Sequence, residues 1–282
     1  QRLVGDVAAR NKDLLSAEKA YGKVIERSRG SSLRTVDDFA NLSRVLVERG
    51  DVAASRKITA DMKREWRGDK QAELAALVTE SLCLNNEGAA DKAQHLVDQA
   101  LALQKTIEAE AAAKGKHVSQ RLAVDLAHAC YATGKEGDAA RIMRQVAAEN
   151  HEDTHLIDHI TSVFEKTGQP DAGKALLDQV GKEIVALNNK GVMAARSGDL
   201  EGAVQLLIQA AEQVPNLQFL VNAAKAIYAL MDKRGWDEEL AARAQDYLLR
   251  AQRKDRKSPK VASARQQYLT VAKKYGIATD KV

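Results

Sequence analysis

The chain has 282 residues, 29% of them charged and 45% hydrophobic, with a net charge of +4, a balance that supports one or two packed domains and does not suggest disorder. No apolar run approaches the roughly 18 to 20 residues needed to span a bilayer. Cys83 and Cys130 lack the clustering of a disulfide framework or a zinc site, so the expectation is a cytoplasmic protein of a reducing compartment with no membrane segment. Aromatics make up 4% and prolines number three, which favours helices over strands.

In chain order, the first element is "KDLLSAEKAYGKVIERS". It reads as the second helix of a pair whose first helix is truncated or atypical, with Ala17, Tyr21 and Val24 on its packed face. A turn signal follows in "VERGDVAAS" around Gly50 and returns around Gly88, Gly134, Gly168, Gly198 and Gly235. The intervals are 38, 46, 34, 30 and 37 residues, so the sequence predicts an irregular array of helix-turn-helix units. The longest interval holds "QALALQKTIEAEAAAKGK", strong helix formers that predict a second helix extended by several turns.

Between two of these units stands "HEDTH", His151 to His155. In a zinc protease, H-E-x-x-H places two histidines one turn apart on one helix, with the glutamate activating water. Here Asp153 or Thr154 is a natural N-cap for "HLIDHITSVFEKTG", which leaves His151 outside the helix that carries His155. His155 and His159 read as a solvated or partner-facing pair, and no metal is expected. A glycine-rich phosphate loop and a G-x-S-x-G elbow are both lacking. The chain therefore reads as a non-enzyme with no catalytic residues and no cofactor, and a metal-dependent hydrolase around His151 and Glu152 ranks third among the readings. Cys83 and Cys130 read as small packing residues, Trp66 and Trp236 as packing at turns.

The clearest unit, at 184–217, contains "GVMAARSGDLEGAVQLLIQAAEQVP". Small residues at Gly191 and Ala203 let two antiparallel helices approach closely, Gly198 ends the first, and Pro215 stops the second. With Ala194, Leu207 and Ala210, these positions closely resemble the tetratricopeptide repeat, and weaker likeness extends over nearly the whole chain. The resemblance implies an all-α, right-handed α-solenoid of antiparallel helix pairs: a single domain over 1–282 with about six units, the first partial, and a capping helix at 259–275 that starts with Pro259.

In that family the first helices line the usual binding face. The resemblance puts Arg44, Val47 and Glu48 inward, then Val78, Leu82 and Asn85, then Arg121, Val124, His128 and Tyr131. The next two units add His155, Asp158, Ser162 and Glu165, and Asn188, Val192 and Arg196. Of these, Arg44, Asn85, Arg121, His128, Tyr131, His155, Asn188 and Arg196 are the candidate partner-binding residues, and a protein or peptide is the implied ligand. A second likeness lies in "FLVNAAKAIYAL", "RGWDEEL" and the arginine-rich helix before "SPK", which are similar to the C-terminal end of bacterial response regulators with a receiver domain followed by tetratricopeptide repeats. It implies a bacterial signalling output module, with the receiver outside this chain. Residues 250–282 hold ten Lys/Arg against Asp255 and Asp280. Nucleic-acid association through this basic end is the alternative reading.

Overall fold

The computed structural model describes residues 1–113, 119–150 and 153–277. Among the described residues there are fourteen α-helices and no strand. They are α1 (Arg2–Arg10), α2 (Leu14–Arg27), α3 (Val36–Glu48), α4 (Val52–Glu65), α5 (Lys70–Asn86), α6 (Ala90–Ala113) and α7 (Gln120–Ala132). There follow α8 (Glu136–Glu149), α9 (Thr154–Lys166), α10 (Pro170–Ser197), α11 (Leu200–Gln213), α12 (Leu217–Arg234), α13 (Glu238–Lys254) and α14 (Pro259–Lys274). The chain divides into two compact units, Gln1–Val146 with His155–Lys174, and Ala147–Thr154 with Ala175–Val282.

Short turns join the helices into antiparallel pairs, and one local chemistry makes most of them. At Gly198 the backbone takes φ 89°, a left-handed conformation that costs glycine nothing; the next residue, Asp199, accepts a hydrogen bond from the Gly202 amide and so starts α11. Gly50 and Asp51 repeat the device, Asp51 accepting from the Ala54 amide at 3.0 Å. Positive φ recurs at Gly88, Gly134, Gly168 and Gly235, so all six turns read from the sequence are present. α1 is the short first helix anticipated before α2, α6 is the extended one at 24 residues, and α14 opens with proline in its first turn. Residues 114–116, at the end of the stretch read as extending α6, lie outside the described residues.

First helices and second helices differ in what they bury. In α3 every residue from Asp38 to Val47 is buried, because α3 touches α2, α4, α5 and α7. α4, packed on α3 and α5, buries only Ser55, Thr59 and Met62. Each fully buried Val, Leu or Phe contributes roughly 1.5–3 kcal/mol. The largely apolar buried segments of α3, α5 and α7 therefore anchor the first unit, and that of α12 the second. The aromatic residues at turns pack as read: Trp66 meets Phe39 edge-on with centroids 5.3 Å apart, and Trp236 lies 6.2 Å from Tyr268. Cys83 and Cys130 are buried.

One boundary departs from the repeat frame. The sequence places the start of a unit at residue 184, yet α10 runs unbroken for 28 residues and fuses the helix after Gly168 to the helix before Gly198. No proline interrupts 171–197. Gly173 and Gly181 each cost about 1 kcal/mol in a helix, too little to end one whose neighbours are good helix formers. Gly173 has its own reason to be there, since a Cβ would meet the Phe164 side chain at 2.6 Å.

The close approach at Gly191 gives a direct test. A Cβ there would lie 2.6 Å from Leu207 Cγ and 3.2 Å from Leu206 Cβ, so Gly191→Ala should destabilise the protein by about 1–3 kcal/mol. Gly22, inside α2, has nothing within 4 Å of the same position, and Gly22→Ala should stabilise by about 0.5–1 kcal/mol. Urea unfolding of both variants reads the two signs, and the same sign for both would mean the α10–α11 contact is misplaced.

Candidate functional site

Charged residues of the first unit converge from four helices. From α1 comes Asp6, whose Oδ1 accepts a hydrogen bond from Tyr21 Oη at 2.7 Å and from Arg121 Nη1 at 2.9 Å. α1 can lie this close because residue 5 is glycine, where a Cβ would strike the Tyr21 ring at 2.6 Å. From α3 come Arg44 and Glu48, from α7 Arg121, Asp125 and His128, and from α9 His155, Asp158, His159, Ser162 and Lys166. Arg10 Nη2 reaches Asp158 at 2.9 Å and Lys166 Nζ reaches Glu48 at 2.6 Å.

At the centre lies Asp125, 5% exposed. Its Oδ1 is 3.1 Å from His159 Nε2 and 3.5 Å from Arg44 Nε. Although charge-paired, Asp125 Oδ1, His159 Nε2 and Arg44 Nε are enclosed without an aligned hydrogen-bond partner. Beside them is a small cavity of about 40 Å³ lined by Asp6, Arg44, Arg121, His155, His159 and Ser162 among others. It is large enough for a water or the end of one side chain.

Burial and charge set the protonation states. Burial alone would raise the Asp125 carboxyl, but Arg44 and His159 overcome it and hold the pKa at about 2. His128 is pushed down to about 4, first by burial and then by the Lys166 ammonium. His159 is likewise lowered by burial and by Arg44, against the pull of Asp125. Asp6 is held below the ordinary carboxylate value because the hydrogen bonds from Arg121 and Tyr21 outweigh its burial. A neutral His159 and an ionised Asp125 are thus the states at neutral pH.

The candidates read from the sequence separate into three groups. Arg44, Arg121 and His155 line the cavity together, and His128 lies within electrostatic reach of Asp125, Glu48 and Lys166. Tyr131 instead packs its ring on Phe164 at 5.3 Å, and Asn85 is half-buried beside Asn86, whose amide donates to the Val47 carbonyl. Asn188 and Arg196 belong to the second unit, where Asn188 is 5% exposed and accepts from Asn222 Nδ2 at 3.0 Å, while Arg196 is exposed. Val47, Val78, Leu82 and Val124 are core residues rather than a lining. The His155/His159 pair is not uniformly solvated: His155 is exposed, but His159 is 9% exposed against Asp125. His151 and Glu152 lie outside the described residues. Asp6, Tyr21 and Asp125 were not singled out for the site; a lone aspartate in "RLAVDLAHAC" was the available signal, since ionised groups are rarely buried unless paired. Among the described residues no group of three or more His, Cys, Asp or Glu is arranged to hold a metal, and no helix is long and apolar enough to cross a membrane.

No family model matches the chain, and no curated protein matches its sequence. Among solved structures it is similar to the apo form of the quorum sensor NprR from B. thuringiensis, at 13% identity and TM-score 0.33, covering 97% of this chain and 83% of that one. It is also similar to NprR in complex with its cognate peptide NprX, at 12% identity and TM-score 0.32, covering 98% and 84%. Likeness at this level assigns neither a function nor a ligand.

Removing the central carboxylate should be costly. Asp125→Ala leaves Arg44 buried without its main counter-charge and should destabilise the protein by about 3–5 kcal/mol, read as a shift of the urea midpoint; a loss under 1 kcal/mol would mean Asp125 is effectively solvated.

The histidines give a pH dependence of definite sign. Both have folded pKa values below the ordinary 6.5, so the unfolded chain takes up protons that the folded chain refuses. For His128 the contribution is complete above about pH 6.5 and is lost as pH falls toward 4, and His159, also lowered, acts in the same direction. Asp125 acts in the same direction lower down, between 3.8 and about 2, whereas Asp37, raised by burial, acts oppositely. Comparing wild type with His159→Gln at pH 7 and pH 5 isolates the histidine, and the variant should lose less stability on acidification.

Proposed function

We propose that the chain is a non-enzymatic interaction scaffold, and that the inner face of its first unit receives one acidic side chain from a partner protein or peptide. What supports the reading is two enclosed nitrogens, Arg44 Nε and His159 Nε2, left without aligned hydrogen-bond partners beside a cavity that Arg121 also lines. Such atoms cost stability when unsatisfied, and a partner group that aligns with them recovers it. The seat already handles a carboxylate: Asp6 is bound there by Arg121 and Tyr21. With room for about 40 Å³, it admits the end of a side chain and not a backbone, so the rest of the partner lies over a rim formed by the exposed Arg10 and His155 and the half-buried Ser162.

The finer placement, as the cytoplasmic output half of a bacterial response regulator whose receiver lies outside this chain, rests on the sequence resemblance at 219–268. The basic end gives less support to nucleic-acid binding, because several of its cations are engaged internally. Arg250 lies near Glu212 and Asp246, Lys260 donates to Gln218, and Lys274 pairs with Asp232.

The test is affinity capture from a native lysate with wild type, a rim variant carrying His155→Glu and Ser162→Arg, and a basic-end variant carrying Arg253→Glu and Lys254→Glu. The rim variant should lose the captured partner by tenfold or more, about 1.4 kcal/mol, with an unchanged melting temperature, while the basic-end variant keeps it. Loss confined to the basic-end variant, together with a steep fall of binding with salt, would replace the scaffold reading with an electrostatic one.

A further inference from the structure

We propose that the second unit holds a separate binding site for a free amphipathic carboxylate, an alkyl or aromatic body ending in one anionic group, between α13 and α14. The site is a cavity of about 570 Å³, within the ordinary range of small-ligand pockets. Its apolar lining is Leu248 and Leu249 of α13, Val261, Ala262 and Tyr268 of α14 and Tyr228 of α12, and Gln245, Gln252 and Arg265 line it as well. Leu249 is 54% exposed although it lines the cavity, an apolar surface that a ligand would cover.

The placement of a ligand's charge is indicated by the N-terminus of α14, a 16-residue helix. Ser258, at its N-cap, is buried, lines the cavity and makes no side-chain capping bond. Pro259 supplies no amide, so the first-turn donors are those of Lys260 and Val261, at the positive end of the helix dipole. Arg256 and Lys257 line the same mouth and are exposed, and neither makes an ion pair among the described residues. Apolar walls with a helix N-terminus and two cations at the opening match an anion on an apolar body. They do not match a neutral or cationic ligand.

This site does not depend on the inner face of the first unit, and its test is separate. Dodecanoate, kept below its micelle concentration, is titrated calorimetrically into the full chain, with dodecanol as the uncharged control. One saturable site is expected, with dodecanol weaker by tenfold or more. Ala262→Trp fills the mouth from an exposed helix position and should abolish binding without lowering the melting temperature. The pair Arg256→Glu and Lys257→Glu should weaken it by tenfold or more. Absence of saturable dodecanoate binding to wild type overturns the proposal, as does binding that survives Ala262→Trp. Sedimentation with anionic phosphatidylglycerol vesicles, in the absence of monomeric dodecanoate binding, would also overturn it and transfer the surface to a bilayer.

Discussion

The first unit is organised around a carboxylate taken out of water. Asp125 sits on a helix whose other inner residues are apolar, and an isolated ionised carboxylate there would be prohibitively costly. It persists because α3 delivers Arg44 to 3.5 Å and α9 delivers His159 to 3.1 Å. Each partner is in turn fixed by its own helix's packing, Arg44 between Asn41 and Glu48, His159 between the buried Leu156 and Ile160. Three helices far apart in sequence are thereby tied to one oxygen atom. Such arrangements contribute less to net stability than to choosing a single arrangement, because the desolvation cost offsets much of the attraction.

The same atoms explain why a seat on this inner face would be selective. A site built of buried ions tolerates only groups that complete its hydrogen bonding. Asp6 illustrates it from inside the chain: a carboxylate, offered by a helix that glycine brings close, finds both an arginine and a tyrosine hydroxyl. The second unit follows a different chemistry. Across α10, α12 and α14 its first helices are joined by neutral amides, Asn188 to Asn222 to Gln218, and then by Lys260. The cavity between α13 and α14 is lined in large part by apolar side chains such as Leu248, Leu249 and Val261. Two units with one repeat grammar thus present unlike surfaces.

How legible this was depends on range. Turns, caps and helix lengths are local, and the glycine followed by aspartate at 50–51 and 198–199 stated them outright. So did Ala17, Tyr21 and Val24, three spaced residues that proved buried. The inner-face ions were only half legible: Arg44, Arg121 and His155 line one cavity, but which cation meets which anion is decided by contacts up to 148 residues apart, as for Arg10 and Asp158. His159 was misread because helical spacing pairs it with His155, whereas the turn of the helix carries one to the surface and the other against Asp125. The fusion of α10 was hidden for the opposite reason. A repeat frame supplies a boundary wherever one is due, while the local residues supply no stop.

That fused helix has a consequence for how the protein unfolds. Of the three points where the chain passes between the compact units, the last, at Lys174 and Ala175, falls inside α10 and not in a linker. A helix of 28 residues, about 42 Å long, is stabilised cooperatively, each turn depending on the hydrogen bonds of the next. Melting the first turn of α10 leaves new, uncapped backbone groups at the start of what remains. A cut at Lys174 and Ala175 therefore severs a helix just past its first turn.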